Sequence, residues 1–83
     1  SDYVFAESHI NKDRKHGTSK EQAQKWVNEA VAAYSRWNGD VTIYISRNGA
    51  SVINLKEKTI STAYSSNEYD EKFRSLLEVL END

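Results

Sequence analysis

The regular alternation of apolar and polar residues after position 40 is the feature that most constrains the fold. Over 41–46 every second residue is apolar, which is typical of a strand with one buried face. Asn48-Gly49 follows at once and is typical of a tight type I′ hairpin turn. The segment 51–55 then returns, and a third strand is indicated over 59–64. We therefore predict three consecutive antiparallel strands, a β-meander.

The longest apolar stripe with helical spacing lies upstream of this meander. Between positions 19 and 37, apolar residues recur at intervals of three and four, which predicts an amphipathic helix. Thr18 is the predicted N-cap, and Glu21 at the third helical position completes a capping box. The stripe contains Ala23, Trp26, Val27, Ala30, Val31, Tyr34 and Trp37.

Two shorter helices are predicted at the ends of the chain. The first covers 4–16 and ends at Gly17, which tolerates the left-handed conformation; an extended start over 3–5 is the alternative. The last covers 68–81 and follows Asn67, a favourable N-cap. The predicted fold class is α+β, with N-terminal helices packed on an antiparallel β-meander sheet and a C-terminal helix.

Composition narrows the functional classes. The 83 residues predict one domain, 1–83, which buries only about 60–65% of its unfolded surface, so we expect a groove and not a large enclosed cavity. Cysteine is absent, which excludes disulfides, thiolate metal sites and cysteine nucleophiles. No apolar run approaches the roughly 18 residues of a membrane span. Methionine is absent even at position 1, and we expect a C-terminal fragment of a longer protein.

Charge is distributed unevenly along the chain. The net charge is −2, with +1 over residues 1–47 and −3 over residues 48–83. Between positions 12 and 20, four cations and one anion give +3. A patch of this size suits one phosphate, but it is too weak for unspecific binding along a nucleic-acid backbone.

Both histidines lie in the segment 8–17, together with three of the eleven Lys and Arg residues. If the segment is helical, His9, Asp13 and His16 share one face, and Lys12 lies beside them. Imidazoles transfer protons near neutral pH, and a cation stabilises a charged phosphorane. This spacing predicts a proton-transfer pair for metal-independent RNA cleavage. On spacing alone, two surface histidines on a solvated helix remain the simpler interpretation.

Further cations near the histidines are candidate phosphate contacts. They are Arg14, Lys15 and Lys20, and the alternative is that they only solubilise an exposed helix. Zinc is disfavoured, because two His and one Asp lack a compact ligand spacing. We expect no metal and no cofactor.

Two strands add candidates for substrate contacts. Tyr44 is the best residue for stacking on an unpaired base, although we expect Ile53 as its cross-strand neighbour and a helix as its possible cover. In the third strand, Ile60, Thr62 and Tyr64 are predicted to share one face. The hydroxyls of Thr62 and Tyr64 are candidates for contacting a phosphate, while strand propensity alone also explains them.

These segments together resemble one family. Phe5-Ala6-Glu7-Ser8-His9-Ile10, then Asp13, then His16-Gly17-Thr18-Ser19-Lys20-Glu21, a hairpin and Ile60-Ser61-Thr62-Ala63-Tyr64 are similar to the small toxin domains of the barnase–EndoU–colicin–RelE-like ribonuclease group. Such domains are C-terminal parts of bacterial polymorphic and contact-dependent inhibition toxins. The resemblance implies a helix-borne histidine such as His9 and a strand hydroxyl such as Thr62 in the active site.

The expected function is therefore an endoribonuclease toxin, with tRNA as its substrate. The expected catalytic residues are His9, His16, Lys12, Asp13, Thr62 and Tyr64, and the expected RNA contacts are Arg14, Lys15, Lys20 and Tyr44. The resemblance implies delivery into the cytoplasm of a target cell and neutralisation by a cognate immunity protein. We expect a monomer when the domain is free, without membrane contact. The alternative is a small acidic protein-binding module, such as a phage inhibitor or an adaptor, without catalysis.

Overall fold

The structure is a computed structural model that describes residues 3–81. Five strands form one sheet in the order β1-β5-β4-β3-β2, in which β1 and β5 are parallel and the other neighbours are antiparallel. The predicted α+β class is confirmed, and the meander is β3-β4-β5. The elements are β1 (Val4–Phe5), a short helical segment (Ser8–Asp13), α1 (Lys20–Asn28), β2 (Ala32–Arg36), β3 (Val41–Ile45), β4 (Gly49–Asn54), β5 (Thr59–Ser65) and α2 (Glu71–Glu81).

The predicted helix over 19–37 is wrong in its second half. The helix α1 ends at Asn28, and the chain continues as the edge strand β2, which pairs antiparallel with β3. Pairing of β2 satisfies the backbone groups of β3, which would otherwise form the edge of the sheet. Val31 and Tyr34 therefore do not belong to a buried helical stripe, and both are exposed.

The caps of both α-helices differ from the predicted ones. Ser19, not Thr18, caps α1 and forms a capping box with Gln22. Thr18 is buried, and its backbone N–H donates to the Asn11 side chain at 2.8 Å. At α2, the Asp70 carboxylate accepts from the Phe73 N–H at 3.0 Å, whereas Asn67 lies in the preceding single turn. The helices thus begin one and three residues later than predicted.

The β3–β4 hairpin lies where it was predicted, but its turn is not type I′. That turn requires positive φ at Asn48 and Gly49, and neither residue has it. Instead, the Ser46 hydroxyl closes the turn: it donates to the Gly49 carbonyl at 2.8 Å and accepts from the Gly49 N–H at 3.1 Å. Gly49 is required for another reason, because a Cβ there would overlap the indole ring of Trp26.

An irregularity in β5 decides which side chains face the site. Val52 is opposite Thr62, but the next residue, Ile53, is opposite Ile60, so Ser61 is an extra residue in β5. Because of this bulge, Ile60 and Thr62 lie on opposite faces of the sheet, as do their partners Ile53 and Val52. The predicted common face of Ile60, Thr62 and Tyr64 is therefore wrong for Ile60, which packs on the α1 side of the sheet.

Each face of the sheet has its own apolar cluster. The α1 side contains Ile10, Ala23, Trp26, Ile53, Ile60 and Ala63. The opposite side contains Ile43, Ile45, Ala50 and Tyr69, against which Phe73, Leu76 and Leu77 of α2 pack. On that second side a cleft remains open beside α2, and its lining includes residues of β2, β3, β4 and β5.

Candidate active site

The backbone between the first helical segment and α1 directs His16 towards the sheet. The helical segment ends at Asp13, and Lys15 and Gly17 then adopt positive φ values of 56° and 67°. The positive φ at Gly17 was expected, but the helix was expected to continue to His16. His9, Asp13 and His16 therefore do not share a helical face, and that prediction is wrong.

His16 contacts two residues from the far end of the chain. Its Nδ1 atom lies 2.9 Å from Oε1 and 3.1 Å from Oε2 of Glu68, in the single turn that follows β5. Its ring centroid lies 5.4 Å from that of Tyr64. The imidazole is 10% exposed and the Glu68 side chain 43% exposed. Because a carboxylate only accepts, Glu68 favours the tautomer with the proton on Nδ1, which leaves the lone pair on Nε2.

A cleft of about 300 Å³ opens at this pair, and we call it the His16 cleft. Arg14, Thr62 and Tyr64 line it together with His16 and Glu68. In the part of the chain that the structure describes, neither the Thr62 hydroxyl nor the Tyr64 hydroxyl has a hydrogen-bonding partner. The cleft thus combines an imidazole, a guanidinium and two hydroxyls that are available to a ligand.

The environment keeps the Tyr64 phenol protonated. Burial raises the pKa of Tyr64 above its usual value, and the nearby Tyr34, Asp70 and Glu68 raise it further. At neutral pH the Tyr64 hydroxyl is therefore a hydrogen-bond donor, and it is unsuited to the role of a general base.

A second cleft, of about 470 Å³, continues over the open face of the sheet. We call it the sheet-face cleft. It shares Thr62 and Tyr64 with the His16 cleft, so the two clefts adjoin at these residues, and together we call them the groove. Its lining also includes Tyr34 and Arg36 of β2, Asn54 of β4 and Phe73 of α2.

The structure brings together four of the candidate residues and leaves six elsewhere. Arg14, His16, Thr62 and Tyr64 line the His16 cleft. His9, Lys12, Asp13 and Lys15 are exposed on the N-terminal segment and do not line this cleft. The helical segment ends at Asp13 and Lys15 has a positive φ, and of this segment only Arg14 and His16 line the cleft.

Lys20 and Tyr44 lie away from the groove. Lys20 begins α1 and, together with Glu21, lines two other clefts. Tyr44 packs against the α1-side cluster, and its cross-strand neighbour is Ser51, not the predicted Ile53. The register differs because the turn is formed by Arg47-Asn48 and not by Asn48-Gly49.

Glu68 is the one cleft residue that the sequence analysis did not identify. The sequence shows it only as one of several acidic residues at the start of the last helix. The available signal was its position, three residues after the strand that carries Thr62 and Tyr64. A carboxylate at the end of that strand lies at the same edge of the sheet as those hydroxyls.

Residues 3–81 contain no group of three or more His, Asp or Glu side chains arranged to hold a metal ion. Within the same range, no helix combines the length and the apolar character that a membrane crossing requires. The chain matches no family model, and no curated protein or solved structure matches it either.

Proposed function

We propose that the protein is an endoribonuclease that cleaves RNA by attack of a ribose 2′-hydroxyl on the adjacent phosphate. One observation carries the proposal: the His16–Glu68 pair, 2.9 Å apart, lies in the same cleft as Arg14 and two hydroxyls that have no hydrogen-bonding partner within residues 3–81. A general base, a cation and neutral donors are the groups that this reaction requires.

His16 and Glu68 carry out the proton transfer of this reaction. Nε2 of His16 takes the proton of the 2′-hydroxyl, and Glu68 stabilises the imidazolium that forms. The 2′-oxygen bonds to phosphorus, the bond to the 5′-oxygen breaks, that oxygen takes a proton from water, and the imidazolium of His16 returns its proton to the hydroxide that remains. The product ends in a 2′,3′-cyclic phosphate.

Arg14, Thr62 and Tyr64 stabilise the charge that develops on the phosphorane. The Arg14 guanidinium has the fork geometry that suits two phosphate oxygens. The hydroxyls of Thr62 and Tyr64 donate to the non-bridging oxygens, and the raised pKa of Tyr64 keeps that donor protonated. No step needs a metal ion.

The biological setting of this reaction follows from the family resemblance. We propose tRNA as the substrate, delivery into the cytoplasm of a target cell, and neutralisation by a cognate immunity protein. An immunity protein that covers the groove would exclude RNA from the His16 cleft. Both clefts are open to solvent, so a large substrate such as RNA can reach the groove.

Cleavage of total tRNA in the presence of EDTA tests the proposal. The wild-type domain should yield fragments that end in a 2′,3′-cyclic phosphate, and His16→Ala should lower the rate by roughly 10²- to 10⁴-fold. His9→Ala is the matched control, because His9 is exposed in the same segment and lies outside the cleft. Intact RNA with the folded wild-type domain would overturn the proposal and favour a binding module. Equal losses in both variants would reject the assignment to His16.

A further inference from the structure

We propose that the sheet-face cleft is a subsite for one unpaired nucleobase next to the scissile phosphate. This inference rests on the proposed endoribonuclease function and specifies its substrate class as single-stranded or looped RNA.

The two clefts adjoin at two shared residues. Thr62 and Tyr64 line both clefts, so a phosphate held by their hydroxyls lies at the boundary between the clefts. We place the nucleoside attached to that phosphate on one side over the sheet face. A nucleotide suits this groove, because its charged phosphate fits the His16 cleft and its uncharged base fits the sheet-face cleft.

The sheet-face cleft has an aromatic surface. The Tyr34 residue is 42% exposed, and it meets Phe73 edge to face with ring centroids 6.4 Å apart. Ile43 and Val52, also in the lining, add apolar surface around the rings. An exposed ring held in place by a second ring is a suitable platform for base stacking.

The same cleft also has polar lining residues. The Oδ1 atom of Asn54 accepts from the backbone N–H of Glu57 at 2.9 Å, which fixes the orientation of the amide. The amide nitrogen is then the part left to donate to a ring nitrogen or carbonyl of a base. Arg36 and Asp70 both line the cleft, so it offers no single sign of charge for a second phosphate.

These features favour an unpaired base over a base within a duplex. A paired base is stacked on both sides and presents only its edge to a protein, so it cannot lie on Tyr34. A base in a loop or a single strand is free to stack on the ring. The subsite therefore selects single-stranded positions in a folded RNA.

Oligodeoxynucleotides with one cleavable ribonucleotide test this subsite, because they fix the position of the cut. An abasic residue replaces the base on one side of that linkage or on the other. In the wild type, the abasic residue on one side should lower kcat/KM by roughly 5- to 150-fold, and the residue on the other side should have little effect. A double-stranded version should resist cleavage.

Two variants connect the effect to the cleft. Tyr34→Ala should lower kcat/KM on the intact oligonucleotide by a similar factor, and the abasic residue should then cause no further loss. Tyr34→Phe keeps the ring, so the abasic residue should again lower kcat/KM in this variant. Cleavage that is indifferent to abasic residues on both sides overturns the subsite while the nuclease function stands.

If no cleavage is observed, a binding experiment still tests the subsite. If the wild type cuts no RNA, the proposed function fails. The subsite is then tested by NMR titration with a single-stranded all-deoxy oligonucleotide. Shifts confined to residues around Tyr34 and Asn54, lost with an abasic oligonucleotide, would still support it. Absence of such shifts would overturn the subsite as well.

Discussion

The imidazole of His16 and the carboxylate of Glu68 are separated by 52 positions in the chain and lie 2.9 Å apart in the fold. This contact joins the segment that precedes α1 to the turn that precedes α2. The contact therefore has two consequences. It holds the two segments together at one edge of the sheet, and it orients the imidazole of His16, the proposed general base.

Glu68→Gln should reduce cleavage by roughly 10- to 100-fold, because the neutral amide cannot stabilise the imidazolium of His16. The side chain keeps its shape, so binding of RNA should change little. Initial rates on a short oligonucleotide with one cleavable linkage measure the effect on kcat and KM. Glu71→Gln, which removes an exposed carboxylate in the first turn of α2, should leave both constants near the wild-type values. An unchanged kcat in the Glu68 variant would contradict the assigned role.

Thr62→Val should lower the rate by roughly 10- to 10³-fold without lowering stability. The Thr62 hydroxyl has no partner among residues 3–81, so its removal breaks no hydrogen bond of the folded state. Ser51→Ala should show the opposite pattern, since the buried Ser51 hydroxyl, which lines neither cleft, donates to the Ala23 carbonyl at 2.8 Å. Its loss should cost about 1 kcal/mol of unfolding free energy and leave the rate unchanged. Urea unfolding and oligonucleotide cleavage, measured on both variants, decide between these patterns.

Local sequence patterns predict the central part of this fold well. The alternation over 41–46 and the returning segments place β3, β4 and β5, and the apolar period places α2, because each of these signals resides within one element. The strand β2 is different. Its residues fit a helical period, and only pairing with β3, which is a tertiary interaction, makes them a strand.

In the candidate site, too, some residues are predictable from the local sequence, whereas others depend on contacts between distant parts of the chain. Thr62 and Tyr64 were identifiable as hydroxyl-bearing strand residues, but the bulge at Ser61, which directs them into the groove, has no signal in the chain. His16 was identified through a helical spacing that the structure does not contain. Its partner Glu68 is brought to it by the whole sheet, and no spacing rule joins residues that far apart.

Gly49→Ala should destabilise the domain by about 1–3 kcal/mol or more, because the added methyl overlaps the buried Trp26 ring. Thermal or urea unfolding measures the change. Trp26→Phe in the same chain makes room for the methyl, so the double variant should be more stable than the sum of the two single changes predicts. Asn48→Ala, an exposed change in the same turn, is the control and should have a small effect. Additive losses in the double variant would mean that the two residues do not meet.

The stability of the domain should fall at alkaline pH, and Tyr69 should account for part of that fall. Tyr69 is 5% exposed, and its hydroxyl donates to the Ser46 carbonyl at 2.7 Å. Burial and, secondarily, the neighbouring Tyr64 raise the pKa of Tyr69 well above its usual value of 10.0. Since the pKa is higher in the folded state, the contribution of Tyr69 is fully present below about pH 10 and is lost as the pH rises from there through the folded-state pKa.

Tyr69→Phe tests this pH dependence, because the difference in unfolding free energy between the variant and the wild type should change with pH. At pH 8 the variant should be less stable by about 1 kcal/mol, because the Ser46 carbonyl loses its donor. Above pH 10 the wild type should lose up to about 1.4 kcal/mol per pH unit for this group, so the two curves should converge. Urea unfolding between pH 8 and 11.5 measures both curves, and titration of the lysines cancels in their difference. Curves that stay parallel over that interval would show that the Tyr69 phenol ionises equally in the folded and unfolded chains.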